Sequence, residues 1–203
     1  MKGYYFITDE ALSAAGTMSD VEKAVAAGVA VVQYRNKTAA TRRLYEEARG
    51  IRDLCAGTGT RLIINDRIDI ALAVDADGVH IGNEDLPYGE ARRILGAGKI
   101  IGVTVHDVAE AVAAEGAGAD YLGVSPIFAT GTKADAGAPC GTATLAAIRR
   151  ACAIPLVAIG GIDLPRVDEC IGAGADMVCA ISAVVTKPDV AGEILRFQRK
   201  FGL

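Results

Sequence analysis

The chain has 203 residues, 51% hydrophobic and 23% charged, which suffices for a sizeable core and excludes disordered and fibrous classes. A net charge of −4 with no long Lys/Arg block leaves no electrostatic footprint for nucleic acid or an anionic membrane surface, and aromatics at 5% with no Trp disfavour base-stacking platforms. Five cysteines (Cys55, Cys140, Cys152, Cys170 and Cys179) show no Cys-x-x-Cys spacing and read as reduced, buried, small apolar groups. No h-region follows Met1 and no uncharged apolar run approaches about 18 residues, so the expected location is the cytoplasm and no membrane partner is expected. Homo-oligomerisation is left open.

Taken in chain order, short runs rich in β-branched and aliphatic residues mark strands at 3–8, 29–34, 61–65, 77–81, 99–104, 120–125, 155–160 and 176–182. Helical patterns fill the intervals at 19–27, 39–56, 66–74, 88–95, 107–115, 142–151, 164–172 and 188–200. Glycine, 24 of 203, is placed by rule: Ala27-Gly28-Val29-Ala30, Ala76-Asp77-Gly78-Val79, Ala117-Gly118-Ala119-Asp120 and Ala173-Gly174-Ala175-Asp176 each read as a helix closed by a left-handed glycine and followed at once by a buried strand. Eight such units at an average repeat of about 25 residues, with one self-similar segment near 121 and another near 178, predict an α/β fold, a single (β/α)8 TIM barrel over 1–203, rather than an open doubly wound sheet.

Polar residues gather at the predicted strand ends, where barrel chemistry sits. On the second strand Val29, Val31, Gln33, Arg35 and Lys37 share one face, and the last three span about 13 Å of amide, guanidinium and ammonium donors suited to a polyphosphate. A solvated strand end is the alternative, but three donors aimed into a barrel mouth without local acidic partners need an anion. Asn65-Asp66 ends the third strand and Asp85 follows the fourth, and two carboxylates beside a phosphate strip suggest Mg2+. Both aspartates are equally readable as helix-start residues, Asp66 with Asp69 three residues on and Asp85 before Leu86-Pro87.

The segment 126–141 is long and lacks a pattern of its own, as lids do, and its Thr130-Gly131-Thr132-Lys133 offers hydroxyls and an ammonium to a phosphate. Gly160-Gly161 after the seventh strand and Ile181-Ser182 after the eighth fall where this fold commonly holds phosphate. Neither His80 nor His106 has zinc-ligand spacing, and both read as structural.

The chain resembles the thiamine phosphate synthases. The resemblance is carried by Tyr5-Phe6-Ile7-Thr8-Asp9, Gln33-x-Arg35-x-Lys37, Ile64-Asn65-Asp66, Asp77-Gly78-Val79-His80-Ile81-Gly82 with Glu84-Asp85-Leu86, Gly102-Val103-Thr104, Pro126-Ile127-Phe128 leading to Thr130-x-Thr132-Lys133, Ala158-Ile159-Gly160-Gly161-Ile162 and Ala180-Ile181-Ser182, in order and over nearly the whole chain. It implies a barrel enzyme, a transferase that joins hydroxymethylpyrimidine diphosphate to hydroxyethylthiazole phosphate, with Mg2+, forming thiamine phosphate and pyrophosphate. It also implies that Gln33, Arg35, Lys37, Asn65, Thr104 and Lys133 hold the pyrimidine diphosphate, with Arg35, Lys37 and Lys133 catalytic. Asp66 and Asp85 would hold the metal, and Thr130, Gly131, Thr132, Gly161, Ile181 and Ser182 the thiazole phosphate. Asn36 stands where the family usually has Glu, and Thr104 where it usually has Ser. A thiazole tautomerase of the same fold and a non-catalytic phosphate-binding barrel are the alternatives.

Overall fold

A computed structural model describes residues 1–132 and 137–203, and its eight parallel strands close into a barrel in sequence order. They are β1 (Gly3–Ile7), β2 (Val31–Tyr34), β3 (Arg61–Asn65), β4 (Gly78–Ile81), β5 (Ile100–Val105), β6 (Tyr121–Val124), β7 (Leu156–Ile159) and β8 (Met177–Cys179). Closure comes from β8 pairing with β1, Met177 opposite Gly3 and Val178 opposite Tyr4. Outside run α1 (Thr17–Ala26), α2 (Thr41–Cys55), α3 (Ile68–Ala73), α4 (Tyr88–Leu95), α5 (Val108–Ala117), α6 (Gly141–Ala151), α7 (Val167–Gly172), α8 (Ile181–Val185) and α9 (Val190–Lys200).

Strand alternation sorts the apolar residues into two layers. Phe6, Val32, Leu62, Ile64, Val79, Ile101, Leu122 and Val178 pack against the helices, while Tyr5, Ile7, Val31, Ile63, Tyr121, Val157, Met177 and Cys179 fill the barrel itself. Helices meet the outer layer with one stripe; α2 buries Leu44, Ala48, Ile51 and Cys55, spaced by three or four residues. Four of the five cysteines are buried and all are free thiols, with burial pushing Cys55 and Cys170 up to about 11.

The repeated Ala-Asp before the even strands has a structural reason. The carboxylates of Asp77, Asp120 and Asp176 accept the amides of Leu62, Ile101 and Leu156 on the preceding strands at 2.8, 2.8 and 2.9 Å. Each also meets an arginine from the helix leading into that strand, Arg52 at 3.6 Å, Arg92 at 2.6 Å and Arg149 at 3.1 Å. Before β2 the corresponding residue is Ala30, and the amide of Tyr4 on β1 goes instead to Gln198 Oε1 of α9, at 2.8 Å.

Three boundaries differ from the sequence expectation. The chain leaves α1 through Gly28 at φ +73°, so extended alternation starts at Val31 and Val29 falls in the helix-facing layer rather than on the Val31–Gln33 face. Strand β8 stops at Cys179 and the chain enters α8, because in an unbroken apolar run a buried strand and a buried helix look alike. Gly78 is no helix cap: Asp75 takes the left-handed position at φ +52°, and Gly78 is needed because a Cβ there would stand 2.0 Å from the Ile100 carbonyl oxygen.

Candidate active site

A cavity of about 950 Å³, counted out to its open mouth, lies at the C-terminal ends of the strands. Gln33, Arg35, Lys37, Asn65, Asp66, Asp85, Thr104, Thr130, Thr132, Gly161, Ile181 and Ser182 all line it. Gly131 sits exposed between two lining threonines, and Lys133 lies outside the described residues.

Gln33 is buried at 1% exposure, and beyond it Thr8 prolongs the β1–β2 ladder, its hydroxyl accepting the Arg35 amide at 2.8 Å and donating to the Arg35 carbonyl at 3.1 Å. That clamp aims Arg35 and Lys37 over the mouth. The expectation that these cations lack acidic partners is corrected: Arg35 lies 3.7 Å from Asp9, and Lys37 is ion-paired with Asp66. Closing the barrel brings neighbouring strand ends together, a proximity the linear sequence does not display. Asn36 is engaged elsewhere, donating to Glu10 at 2.8 Å while its carbonyl accepts the Thr38 and Ala39 amides at 3.1 and 3.0 Å.

Neither metal candidate is a helix cap. The residue before α3 is Arg67, with no side-chain cap, and Asp66 instead adopts φ +60°, its amide donating to the His80 carbonyl at 2.8 Å. Helix α4 starts after Pro87, and Asp85 turns back to accept the Gly82 amide at 2.7 Å. Burial, then the Asp66 carboxylate beside it, pushes the Asp85 carboxyl above the usual carboxylate range, opposed by the Gly82 amide and Lys37. Two adjacent half-buried carboxylates call for a cation between them. Among the described residues no group of three or more His, Cys, Asp or Glu is placed to hold a metal ion.

The opposite wall is backbone. Gly160 and Gly161 turn at φ +98° and +63°, and a Cβ on Gly161 would stand 2.4 Å from the Ala129 carbonyl oxygen. The amides of Ile127 and Phe128 donate to the carbonyls of Ile159 and Gly160 at 2.8 and 3.0 Å, pinning the root of 126–141 to the end of β7, while the described residues of 126–140 form no helix or strand, as expected. Arg166 braces the turn, donating to the Gly161 carbonyl at 2.8 Å with its guanidinium 4.8 Å from the Phe128 ring centre. Next to it α8 opens with Ile181 and Ser182, and the first amides of an α-helix have no intrahelical acceptor.

The floor of the cavity holds what sequence reasoning missed. His80 lines the mouth, with Nε2 2.8 Å from Thr104 Oγ1 and Nδ1 2.9 Å from the Tyr121 hydroxyl. Tyr121 and Tyr5 share a hydrogen bond of 2.7 Å, and Gln33 Nε2 donates to Tyr5 at 2.9 Å. The available signal was parity, since Gly78, His80 and Gly82 alternate on one face of β4. His106 is exposed and bonded to Glu110 at 2.9 Å, away from the cavity lining.

A barrel whose mouth sets basic side chains and a carboxylate pair against glycine and helix-start amides falls in the class of phosphate-binding (β/α)8 barrels. Residues 4–184 match the family model described as thiamine monophosphate synthase. The chain is 50% identical over 194 residues to a thiamine-phosphate synthase of Methanosarcina mazei, covering 96% of this chain and 80% of that one. It is 51% identical over 187 residues to that of Chloroflexus aurantiacus, covering 92% and 86%. A solved thiamine phosphate pyrophosphorylase from Pyrococcus furiosus superposes with a TM-score of 0.91 at 36% identity, covering 98% and 95%. The chain belongs to the thiamine monophosphate synthase family and is a transferase of that kind. Among the described residues no helix is long and apolar enough to cross a membrane.

Proposed function

We propose that the mouth joins 4-amino-2-methyl-5-hydroxymethylpyrimidine diphosphate to hydroxyethylthiazole phosphate, giving thiamine phosphate and pyrophosphate with Mg2+ as cofactor. The observation that carries this reading is the Asp66–Asp85 carboxylate pair set beside Arg35 and Lys37 in one cavity whose other wall is the Gly161 turn and the start of α8. One wall suits a metal-borne diphosphate, the other a monophosphate. Gln33, Arg35, Lys37, Asn65 and Thr104 hold the pyrimidine diphosphate, joined by Lys133 from the sequence. Thr130, Gly131, Thr132, Gly161, Ile181 and Ser182 hold the thiazole phosphate.

The chemistry needs little proton transfer. The bond between the pyrimidine methylene carbon and the diphosphate oxygen breaks with its electrons leaving on the diphosphate, and the aminopyrimidine spreads the resulting positive charge. Arg35, Lys37 and Lys133 stabilise the charge growing on the leaving group. Mg2+ held by Asp66 and Asp85 supplies further charge neutralisation there when bound. The thiazole nitrogen then donates its lone pair to the carbon. Holding both substrates by their phosphates supplies the orientation.

The test is thiochrome fluorescence of thiamine phosphate from both purified substrates, with and without Mg2+. Metal-dependent product is expected. Folded protein that makes none from verified substrates overturns the reading in favour of tautomerisation or binding alone, and product formed equally without metal removes Mg2+ from it.

A further inference from the structure

The five side chains Gln33, Tyr5, Tyr121, His80 and Thr104 come from five different strands and form one continuous hydrogen-bonded chain under the mouth. Its direction follows from counting hydrogens. The Gln33 amide donates to Tyr5. Burial pushes both tyrosine hydroxyls far up, so each keeps its single hydrogen. Tyr5 accepts from Gln33, and in the direction that hands its buried hydrogen on to a neighbour, that hydrogen passes to Tyr121 and that of Tyr121 to His80 Nδ1. A neutral imidazole then carries its proton on Nε2, which donates to Thr104 Oγ1. The Thr104 hydrogen is left to turn into the cavity.

We propose that Tyr5, Tyr121 and His80 are positioning residues that fix the Thr104 hydroxyl as a donor toward a ring nitrogen of the aminopyrimidine substrate. The proposal rests on the functional reading above, in which Gln33 and Thr104 are among the residues that hold the pyrimidine diphosphate. Two glycines give up side-chain volume to the chain: a Cβ at Gly102 would stand 2.0 Å from the Tyr121 ring, and one at Gly123 would stand 2.9 Å from His80 Cε1. A core serving stability alone is better filled by apolar residues, because a buried polar chain is costly unless every member is satisfied. Here the chain opens at its Thr104 end onto the cavity, where a substrate completes it.

Two readouts test this, one of them independent of turnover. The chain contains two histidines, and His106 is exposed, so the 15N–1H spectrum of the imidazoles resolves His80 readily. A single Nε2–H tautomer is expected in the wild type, becoming mixed in Tyr121→Phe. In kinetics, Tyr121→Phe is expected to raise KM for the pyrimidine diphosphate about five- to tenfold with KM for the thiazole phosphate unchanged. Added to Thr104→Ala it costs less than about twofold more, because both changes cut the same chain. Tyr5→Phe, which breaks the chain one link earlier, gives the same KM split if Tyr121→Phe does not fold. An Nδ1–H tautomer, equal rises in both KM values, or additive effects in the double variant overturn the proposal. A wild type that makes no thiamine phosphate fails the functional reading instead, and the tautomer still decides the direction of the chain.

Discussion

Lys37 and Asp66, 29 residues apart, form an ion pair at the rim of the mouth, tying the segment after β2 to the end of the neighbouring β3. The lysine is half exposed, and such pairs contribute only about 0–1 kcal/mol to stability. Its meaning is electrostatic. Asp66 also faces Asp85, and the ammonium supplies one positive charge where two carboxylates crowd. On the function proposed above, a divalent cation would compete with Lys37 for Asp66, and its binding would free the lysine for an anion.

Asp66→Asn keeps a residue type that tolerates φ +60° and removes the charge. Turnover is expected to fall by about two to three orders of magnitude. Thermal melting should move by no more than about 2–4 °C. Near-wild-type activity under Mg2+ titration removes this residue from the metal site.

Ser182→Ala strips a hydroxyl from the first turn of α8 while leaving the helix amides in place. KM for the thiazole phosphate should rise about tenfold, with KM for the pyrimidine diphosphate unmoved. Steady-state kinetics with each substrate varied in turn decide it, and the reverse split reassigns this wall.

Gly102→Ala forces a methyl to within 2.0 Å of the Tyr121 ring inside a closed barrel. Overpacking there should cost about 1–3 kcal/mol in urea unfolding. An unchanged midpoint shows that the ring has room to shift.

Glu115 accepts the Ala153 and Ile154 amides at 2.7 and 3.0 Å, and these bonds hold its carboxyl below the usual glutamate range. A lowered folded-state pKa gives stability that is present above the unfolded pKa and is lost as pH falls through the folded one. Glu115→Gln should therefore melt below the wild type at pH 7, with the gap closing below about pH 4. Melting curves across that range, showing a gap independent of pH, exclude the charge as its source.

The barrel was legible because each strand buries both faces and so reads as an aliphatic run, and because the Ala-Asp repeats mark strand starts. The mouth was legible in Gln33, Arg35 and Lys37, whose alternation aims them one way. Four features were not. The Lys37–Asp66 and Arg35–Asp9 pairs exist only once adjacent strands align. The Tyr5–Tyr121 contact spans 116 residues, and nothing local to either tyrosine points to the other. Helix α8 hides in an apolar run that suits strand and buried helix equally.

At the bottom of the barrel, three of the four two-strand modules carry their own lock, an aspartate that bolts the amide of the preceding strand. The first module has Ala30 there, and its bolt is Gln198, 194 residues from the Tyr4 amide it secures. A chain emerging from its N-terminal end could fasten the later modules as they form but would leave the first unsealed until α9 docks. In assembly order the key to the first module is held by the last helix, and a change at Gln198 should loosen closure of the ring rather than any single unit.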